Sequence, residues 1–465
     1  MTLIKSISGI RGTIGGNAKT NLTPVDIVKF TAAFVILIKE REQKERLTIV
    51  TGRDARISGS MVSQLVCGTL QAMGCNVIDI GLTTTPTIEM AIPKLHASAG
   101  IMLTASHNPM EWNALKLLNK HGEFINDIEG KRIIELSENE NIRFADVMQL
   151  GNYATYEKAI DDHIAAILKL SLVSHADIAK SNFSVAIDCV NSTGGIAIPK
   201  LLKALGVNTV YELYCNPNGI FPHNPEPLAE HLTDISQLMK EKKADVGFVV
   251  DPDVDRLAIV NSDGSMFGEE YTLVAISDYI LRHTPGNAVS NISSTRALRD
   301  ITERLGGKYF ASAVGEVNVV EMMKQTNAII GGEGNGGVIY PELHYGRDAL
   351  VGIALFLSYL AKEKKSSIEL KKQYPQYFIS KNKIKIEENV NVDSILKKMQ
   401  KKYAALPHST IDGLKIEFDK EWAHLRKSNT EPIIRIYAES DDAEKADALA
   451  SQIMSEIEEI AKSND

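Results

Sequence analysis

Short apolar, β-branched runs alternate with longer stretches of helical periodicity along most of this chain, and that alternation constrains the fold more than any other feature. Candidate strands fall at 47–50, 77–80, 100–103, 185–190, 210–213, 246–250, 257–260 and 328–330. Helical patterns fall between them, at 60–73, 195–205, 229–242 and 271–282. Alternating strands and helices predict parallel sheets with helices on both faces. Open sheets of that kind bind ligands beyond the carboxyl ends of their strands, so the polar turns that follow the apolar runs are the places to look for chemistry.

The 465 residues correspond to three or four domains at about 100–150 residues each. Three α/β blocks are expected at 1–150, 151–265 and 266–375, with a smaller α+β block at 376–465 that ends in a helical pattern. A polar helical connector at 153–170 joins the first two. The blocks share a layout but no close sequence repeat. A net charge of −8 argues against a nucleic-acid or membrane-surface binder, either of which needs a basic face. No apolar run reaches the ~20 residues of a membrane span, and the first residues lack a signal-peptide core. Cys67, Cys75, Cys189 and Cys215 form no Cys-x-x-Cys pair and sit in or beside apolar stretches, as reduced structural thiols do. A cytoplasmic enzyme acting on a small anionic molecule, as a monomer or homodimer, is the expectation.

Two strand-end turns carry the strongest chemical signal. Thr104-Ala105-Ser106-His107-Asn108-Pro109 follows the apolar run 99–103 and presents Ser106. Asp251, Asp253 and Asp255 follow the apolar run 246–250. Carboxylates at alternate positions can converge on one hard divalent cation if the turn bends. An EF-hand is excluded, because Arg256 and Ser262 stand where that loop needs glycine and glutamate. Ser106 is a weak nucleophile unaided, and no Gly-x-Ser-x-Gly elbow surrounds it. Lys116 follows on the same segment and could reach a phosphate or shuttle a proton. Arg426-Lys427-Ser428-Asn429-Thr430-Glu431-Pro432, with Arg435 beyond it, is a basic turn suited to phosphate. Gly331-Gly332-Glu333-Gly334-Asn335-Gly336-Gly337 is a third strand-end loop, in which Glu333 could accept from sugar hydroxyls. Further arginines lie in Ser8-Gly9-Ile10-Arg11-Gly12 and in Gly52-Arg53-Asp54-Ala55-Arg56. No Walker loop is present, because Ala18 precedes Lys19-Thr20.

In that order these segments resemble the α-D-phosphohexomutase family over nearly the whole chain. The turn 104–109 is similar to its phosphoserine loop, and Asn113-Ala114-Leu115-Lys116 to the Asn-Gly-x-Lys that follows it, with alanine for glycine. Asp251-Pro252-Asp253-Val254-Asp255-Arg256 resembles its magnesium loop, and 426–432 its phosphate loop, with Asn429 for glycine. Phe221-Pro222-His223-Asn224-Pro225-Glu226-Pro227 and Asp188-Cys189-Val190-Asn191 fit the same pattern. The resemblance implies a four-domain α/β protein, three mixed α/β sandwich domains plus a smaller C-terminal α+β domain, with a central cleft. It implies Mg2+ held by Asp251, Asp253, Asp255 and phosphorylated Ser106, and a hexose 1,6-bisphosphate (glucose or hexosamine) as activator and intermediate. Arg11, Lys116 and His107 would serve the reacting groups. Arg256, Gly315, Glu333, Asn335, Arg426, Ser428, Asn429, Thr430 and Arg435 would hold the phosphosugar. The sugar loop departs from the commonest family pattern, with Asn335 for serine and Gly337 for histidine. Gly337 cannot transfer a proton, and His344 is a nearby substitute. The glycine-rich version resembles a subgroup assigned as phosphoglucosamine or as phosphomanno/phosphoglucomutases; glucosamine phosphate is the favoured substrate expected for this chain, with mannose or glucose phosphate as the close alternative. A haloacid-dehalogenase-type enzyme with Asp251 as nucleophile, and a non-catalytic sugar-phosphate sensor, are the rival readings.

Overall fold

The computed structural model describes residues 2–6, 9–139, 141–386, 391–427 and 433–462. Among these residues the strands form four sheets. The first has seven strands, in the spatial order Ile4–Ser6, Gly9–Thr13, Trp112–Leu118, Ala99–Leu103, Thr48–Arg53, Asn76–Leu82, Tyr153–Thr155. The second runs Leu257–Asn261, Val246–Val250, Ser184–Asp188, Thr209–Leu213, and the third Tyr309–Ser312, Asn287–Asn291, Ala328–Glu333, Gly337–Ile339. The fourth is a wholly antiparallel sheet of five strands, backed by helices Val392–Lys402 and Ala443–Lys462.

The first three sheets are mixed rather than purely parallel. In each, one buried parallel strand turns back into an antiparallel neighbour: Ala99–Leu103 into Trp112–Leu118, Val246–Val250 into Leu257–Asn261, Ala328–Glu333 into Gly337–Ile339. The three turns are the serine loop, the aspartate loop and the sugar loop. The segment read as a helical connector divides into strand Tyr153–Thr155, which completes the first sheet beside Asn76–Leu82, and helix Ala159–Ile167. The backbone groups of that sheet edge need partners, and three residues of extended chain supply them.

One helix fixes the second and third units to each other. Ala349–Glu363 is buried on every side from Ala349 to Ala361, the mark of a helix inside a core rather than on a surface. Its Phe356 meets Phe248 and Phe267 edge-on, at 6.2 and 5.3 Å between ring centres. Phe248 lies on the strand that delivers Asp251. Asp348 caps the helix, accepting from Leu350 N at 2.8 Å and Val351 N at 3.2 Å, and so sets the position of its neighbour Arg347.

The fourth unit docks on the third mainly through hydrogen bonds. Arg296 N donates to Glu439 Oε1 at 3.0 Å, Lys415 Nζ to Ile292 O at 3.0 Å, and Val314 N to Asp412 Oδ2 at 3.0 Å. His424 is buried at this junction. Its Nε2 lies 2.6 Å from Asp412 O, a carbonyl that can only accept, so Nε2 carries the proton and Nδ1 accepts from Ser293 Oγ at 2.9 Å. Burial is the main reason that the imidazole is pushed down to about 4. The unfolded chain therefore binds a proton at this position before the folded one does. The stabilisation is complete above the unfolded value of about 6.5 and is lost as pH falls towards about 4. Thermal melts of wild type and His424→Gln across that window are expected to converge at low pH, with a relative loss of roughly 3 kcal/mol in the wild type.

Candidate active site

The serine loop is held by one buried arginine. Strand Ala99–Leu103 is buried throughout and ends at Thr104, whose hydroxyl donates to Asp54 Oδ2 at 2.6 Å and accepts from Ser106 N at 2.9 Å. Ser106 takes φ 49°, a left-handed conformation uncommon outside glycine. Arg56, 1% exposed, donates to Ser106 O and Asn108 O at 2.6 Å, Pro109 O at 2.5 Å, Trp112 O at 3.0 Å and Asp54 Oδ2 at 3.1 Å. The sequence offers Arg56 as a further basic site. Its guanidinium is instead committed to backbone carbonyls and Asp54, and it gives the loop its shape.

The aspartate loop meets it directly. Asp251, Asp253 and Asp255 are fully buried, and an oxygen of each lies within 4.8 Å of the others. Between them Val254 takes φ 64°, an outlier for a β-branched residue that bends the turn. Ser106 Oγ donates to Asp251 Oδ2 at 2.7 Å. Asp251 Oδ1 accepts from Asp255 N at 3.1 Å and Arg256 N at 3.2 Å. Thr85 N donates to Asp253 O at 2.9 Å, and the Thr85 hydroxyl donates to the Asp253 carboxylate. Lys116 Nζ lies 2.6 Å from Asp253 Oδ2 and 3.1 Å from Asp255 Oδ2. The remaining oxygens, Asp253 Oδ1 and Asp255 Oδ1, are buried without a hydrogen-bond partner. Orphaned anionic oxygens beside a serine hydroxyl make an all-oxygen donor set that could hold a hard divalent cation.

Burial and the neighbouring Asp255 and Asp253 push Asp251 well above the usual carboxylate range. Burial works the same way on Asp255, but Arg347, Lys116 and Arg256 outweigh it and hold that carboxyl below its ordinary value. Burial disfavours the Lys116 cation, yet Asp253 and Asp255 raise its pKa and keep it an ammonium. His107 Nδ1 lies 3.4 Å from Ser106 Oγ. Burial, then Arg256, drives this imidazole well below its usual range, so it is neutral at physiological pH. Arg11 feels burial and Arg256 in the same sense, and its Nε is buried without a hydrogen-bond partner.

Arg347 joins this centre to the sugar loop. It donates to Asp255 Oδ2 at 2.8 Å, Glu316 Oε2 at 3.0 Å and Glu333 Oε2 at 2.8 Å. Glu333 Oε1 accepts from Asn291 Nδ2 at 3.0 Å and Gly315 N at 3.1 Å, so part of its acceptor capacity is already in use. Asn335 Oδ1 accepts from Gly337 N at 3.2 Å. A Cβ at Gly337 would lie 2.3 Å from Arg347 Cδ. The space that a side chain needs there belongs to Arg347. His344 does not face this loop in place of the absent histidine. Its ring nitrogens lie against Glu89 and Asp348.

On the fourth unit, Arg426 and Arg435 are direct cross-strand partners. Arg426 reaches Asp412 Oδ2 at 3.5 Å, the atom that also takes Val314 N. Ser428, Asn429 and Thr430 lie outside the described residues. Sequence reasoning missed Arg347, Thr85 and Asp412. Only Arg347, on a Gly-Arg-Asp turn ahead of an apolar helix, carries any local signal, and that signal reads as a helix cap.

Family models of the phosphoglucomutase/phosphomannomutase type match all four units: α/β/α domain I at residues 3–143, domain II at 161–264, domain III at 268–378 and the C-terminal domain at 383–456. The chain belongs to this family and is a phosphohexomutase, an isomerase that moves a phosphoryl group within a hexose phosphate. It is 35% identical to a phosphoglucomutase/phosphomannomutase of Thermococcus kodakarensis, over 94% of this chain and 95% of that one. It is 31% identical to a phosphoglucosamine/phosphogalactosamine mutase of Sulfurisphaera tokodaii, over 97% and 98%. A crystal structure of a phosphoglucomutase/phosphomannomutase family protein from Burkholderia thailandensis superposes with a TM-score of 0.84 at 25% identity, covering 99% and 98%. No helix among the described residues is long and apolar enough to cross a membrane.

Arg347→Met leaves Asp255, Glu316 and Glu333 without their shared cation. Denaturant titration at neutral pH is expected to show a loss of about 3–5 kcal/mol. Arg347→Lys restores only part of it, because a point charge cannot serve three carboxylates as the guanidinium fork does.

Proposed function

We propose that this phosphohexomutase interconverts glucosamine 6-phosphate and glucosamine 1-phosphate, with Ser106 carrying the exchanged phosphoryl group and a hexosamine 1,6-bisphosphate as intermediate. The observation that carries the reading is the Ser106 hydroxyl on Asp251 at 2.7 Å, beside the unpaired Oδ1 atoms of Asp253 and Asp255. The donor set fits Mg2+, with Asp251, Asp253, Asp255 and a phosphate oxygen on Ser106 as ligands. When bound, the ion neutralises charge on the transferring phosphoryl group. The four units divide near residues 150, 265 and 375 in this reading, each contributing one loop.

The chain's own residues do the rest. Phosphoryl transfer makes few covalent demands, so positioning and electrostatics dominate. Arg56 holds the loop so that the Ser106 oxygen faces Asp251. Arg11 and Lys116 offer positive charge to the phosphoryl oxygens. His107 stays neutral 3.4 Å from Ser106 Oγ, within reach of the reacting oxygen. Arg256, Gly315, Glu333 and Asn335 orient the sugar ring. Arg426, Ser428, Asn429, Thr430 and Arg435 hold the idle phosphate, and two like charges facing across a strand pair favour an anion between them. The name of the Sulfurisphaera tokodaii relative supports an amino-sugar phosphate, and that of the Thermococcus kodakarensis relative keeps mannose and glucose phosphates as the alternative.

Intact mass and peptide mapping of the purified protein are expected to show about 80 Da, one phosphate, on the peptide that contains Ser106. The label is expected to survive hydroxylamine. A hydroxylamine-labile label on Asp251 would instead make that carboxylate the nucleophile. Comparison of kcat/KM on glucosamine 6-phosphate, mannose 1-phosphate and glucose 1-phosphate is expected to favour the first. A preference of about a hundredfold for either of the others, equivalent to roughly 2.7 kcal/mol, would reject the amino-sugar assignment.

A further inference from the structure

We propose that His163, His344 and Asp348 form a second cation site, suited to a borderline transition metal of the Zn2+ type, where the first three units meet. Three elements converge there. Helix Ala159–Ile167 supplies His163, the turn before helix Ala349–Glu363 supplies His344 and Asp348, and helix Thr85–Lys94 supplies Thr87 and Glu89. His163 and Asp348 are fully buried, and the His344 side chain is 11% exposed.

The donor atoms already point at one place. His163 Nε2 and His344 Nε2 lie 2.9 and 3.3 Å from Asp348 Oδ2, and the three ligand atoms sit within 4.8 Å of one another. Ligands held at about 2.0–2.1 Å around a tetrahedral ion stand about 3.3 Å apart. Asp348 Oδ1 is committed to Leu350 N and Val351 N, which turns Oδ2 towards the imidazoles. The rings cross edge-to-face at 85°, so their nitrogens approach from different sides.

The outer partners also suit a cation. Each imidazole presents its second nitrogen to an oxygen on helix Thr85–Lys94: His163 Nδ1 lies 3.0 Å from Thr87 Oγ1, and His344 Nδ1 lies 3.4 Å from Glu89 Oε2. Metal-bound histidines usually donate their other ring N–H to an oxygen acceptor such as a carboxylate, which fixes the tautomer and the ring. If Asp348 took protons from both Nε2 atoms, His344 Nδ1 would need its proton from Glu89, whose carboxyl is pushed well above the usual range by burial. Glu89 is 1% exposed, and neither of its carboxylate oxygens makes a hydrogen bond. With both Nε2 lone pairs given to a cation, each Nδ1 carries a proton. Thr87 Oγ1 can then accept from His163 while donating to Thr84 Oγ1, 2.7 Å away, and Glu89 gains its donor. Gly346 leaves room for this arrangement, since a Cβ there would meet Glu89 Oε2 at 1.8 Å.

Two imidazoles and one carboxylate select a borderline cation, in contrast to the all-oxygen aspartate triad. A cavity of about 250 Å³ between helices Thr85–Lys94 and Ala159–Ile167 opens onto His163 and gives an ion a way in. The site also sits behind the triad. Thr85, on the same helix as Thr87 and Glu89, bonds Asp253, and Arg347, beside Asp348, bonds Asp255.

The test uses the full-length protein, stripped with EDTA, desalted, and titrated with Zn2+ or Co2+ in excess Mg2+ so that the triad is shielded. The expected result is one equivalent of Zn2+ retained after desalting, and Co2+ visible bands of four-coordinate character. His163→Gln and His344→Gln each weaken Zn2+ binding at least tenfold. Thr87→Val removes no ligand and keeps the fold by circular dichroism, yet it weakens binding about 10–100-fold through the lost partner of His163. Asp251→Asn leaves Zn2+ affinity unchanged. No Zn2+ retained by the wild type, affinity indifferent to His344→Gln and Thr87→Val, or affinity lost in Asp251→Asn would each overturn the proposal. The first would leave a hydrogen-bonded histidine–aspartate bridge in its place.

Discussion

Three fully buried aspartates within one turn form the constraint around which the rest is arranged. Two unit charges about 4 Å apart interact by roughly 4 kcal/mol even at an effective dielectric of about 20, so Asp251, Asp253 and Asp255 cannot all stay ionised in that space without cations. Their own loop supplies one, Arg256. The others come from far away in sequence: Lys116 from the first unit, and Arg347 from the third. The compensation of a local cluster of negative charge is therefore also what ties three units together. Lys116 and Arg347 each bridge at least two carboxylates, which reduces the number of long side chains that must be ordered.

The geometry that permits this is the same in all three α/β units. A buried parallel strand delivers its loop, and an antiparallel neighbour carries the chain away. Such a turn sits beyond a strand's carboxyl end, where the sheet leaves backbone and side chains free for other partners. The helix Ala349–Glu363, buried from Ala349 to Ala361, then locks the second and third units into one core, so the aspartate and sugar loops share a rigid support. The serine loop belongs to a separate core. It is registered against the others by Arg56 within its own unit, and by Thr85 across the junction.

Much of this architecture was legible from local pattern. The runs 246–250 and 257–260 became strands with nearly those bounds, because continuous apolar residues on a doubly covered strand need no context to interpret. The antiparallel neighbours were less visible. Trp112–Leu118 holds Asn113 and Lys116 inside an otherwise apolar run, and it is a strand because Ala99–Leu103 and Gly9–Thr13 flank it. The convergence of Ser106 with the three aspartates follows a motif order that a sequence can show. The roles of Arg56 and Arg347 do not, since each is defined by partners that no spacing links to it. Arg347 also gives a physical account of Gly337. The glycine that looked like a lost histidine is the residue that leaves room for an arginine side chain.

The fourth unit is joined by a different kind of contact. Arg426 shares Asp412 Oδ2 with Val314 N. Val314 leads into Gly315, which bonds Glu333, and Glu333 bonds Arg347 on Asp255. A single polar chain thus runs from the basic strand pair to the aspartate centre. Its outermost step is also its weakest, a 3.5 Å contact between partly exposed groups, where screening leaves an ion pair with at most about 1 kcal/mol. Arg426 and Arg435 face each other on adjacent strands, and like charges so placed repel. The inner end of the chain is over-determined by buried charge and the outer end is under-compensated. An anion that reached the outer end would supply the missing charge there without disturbing the buried network.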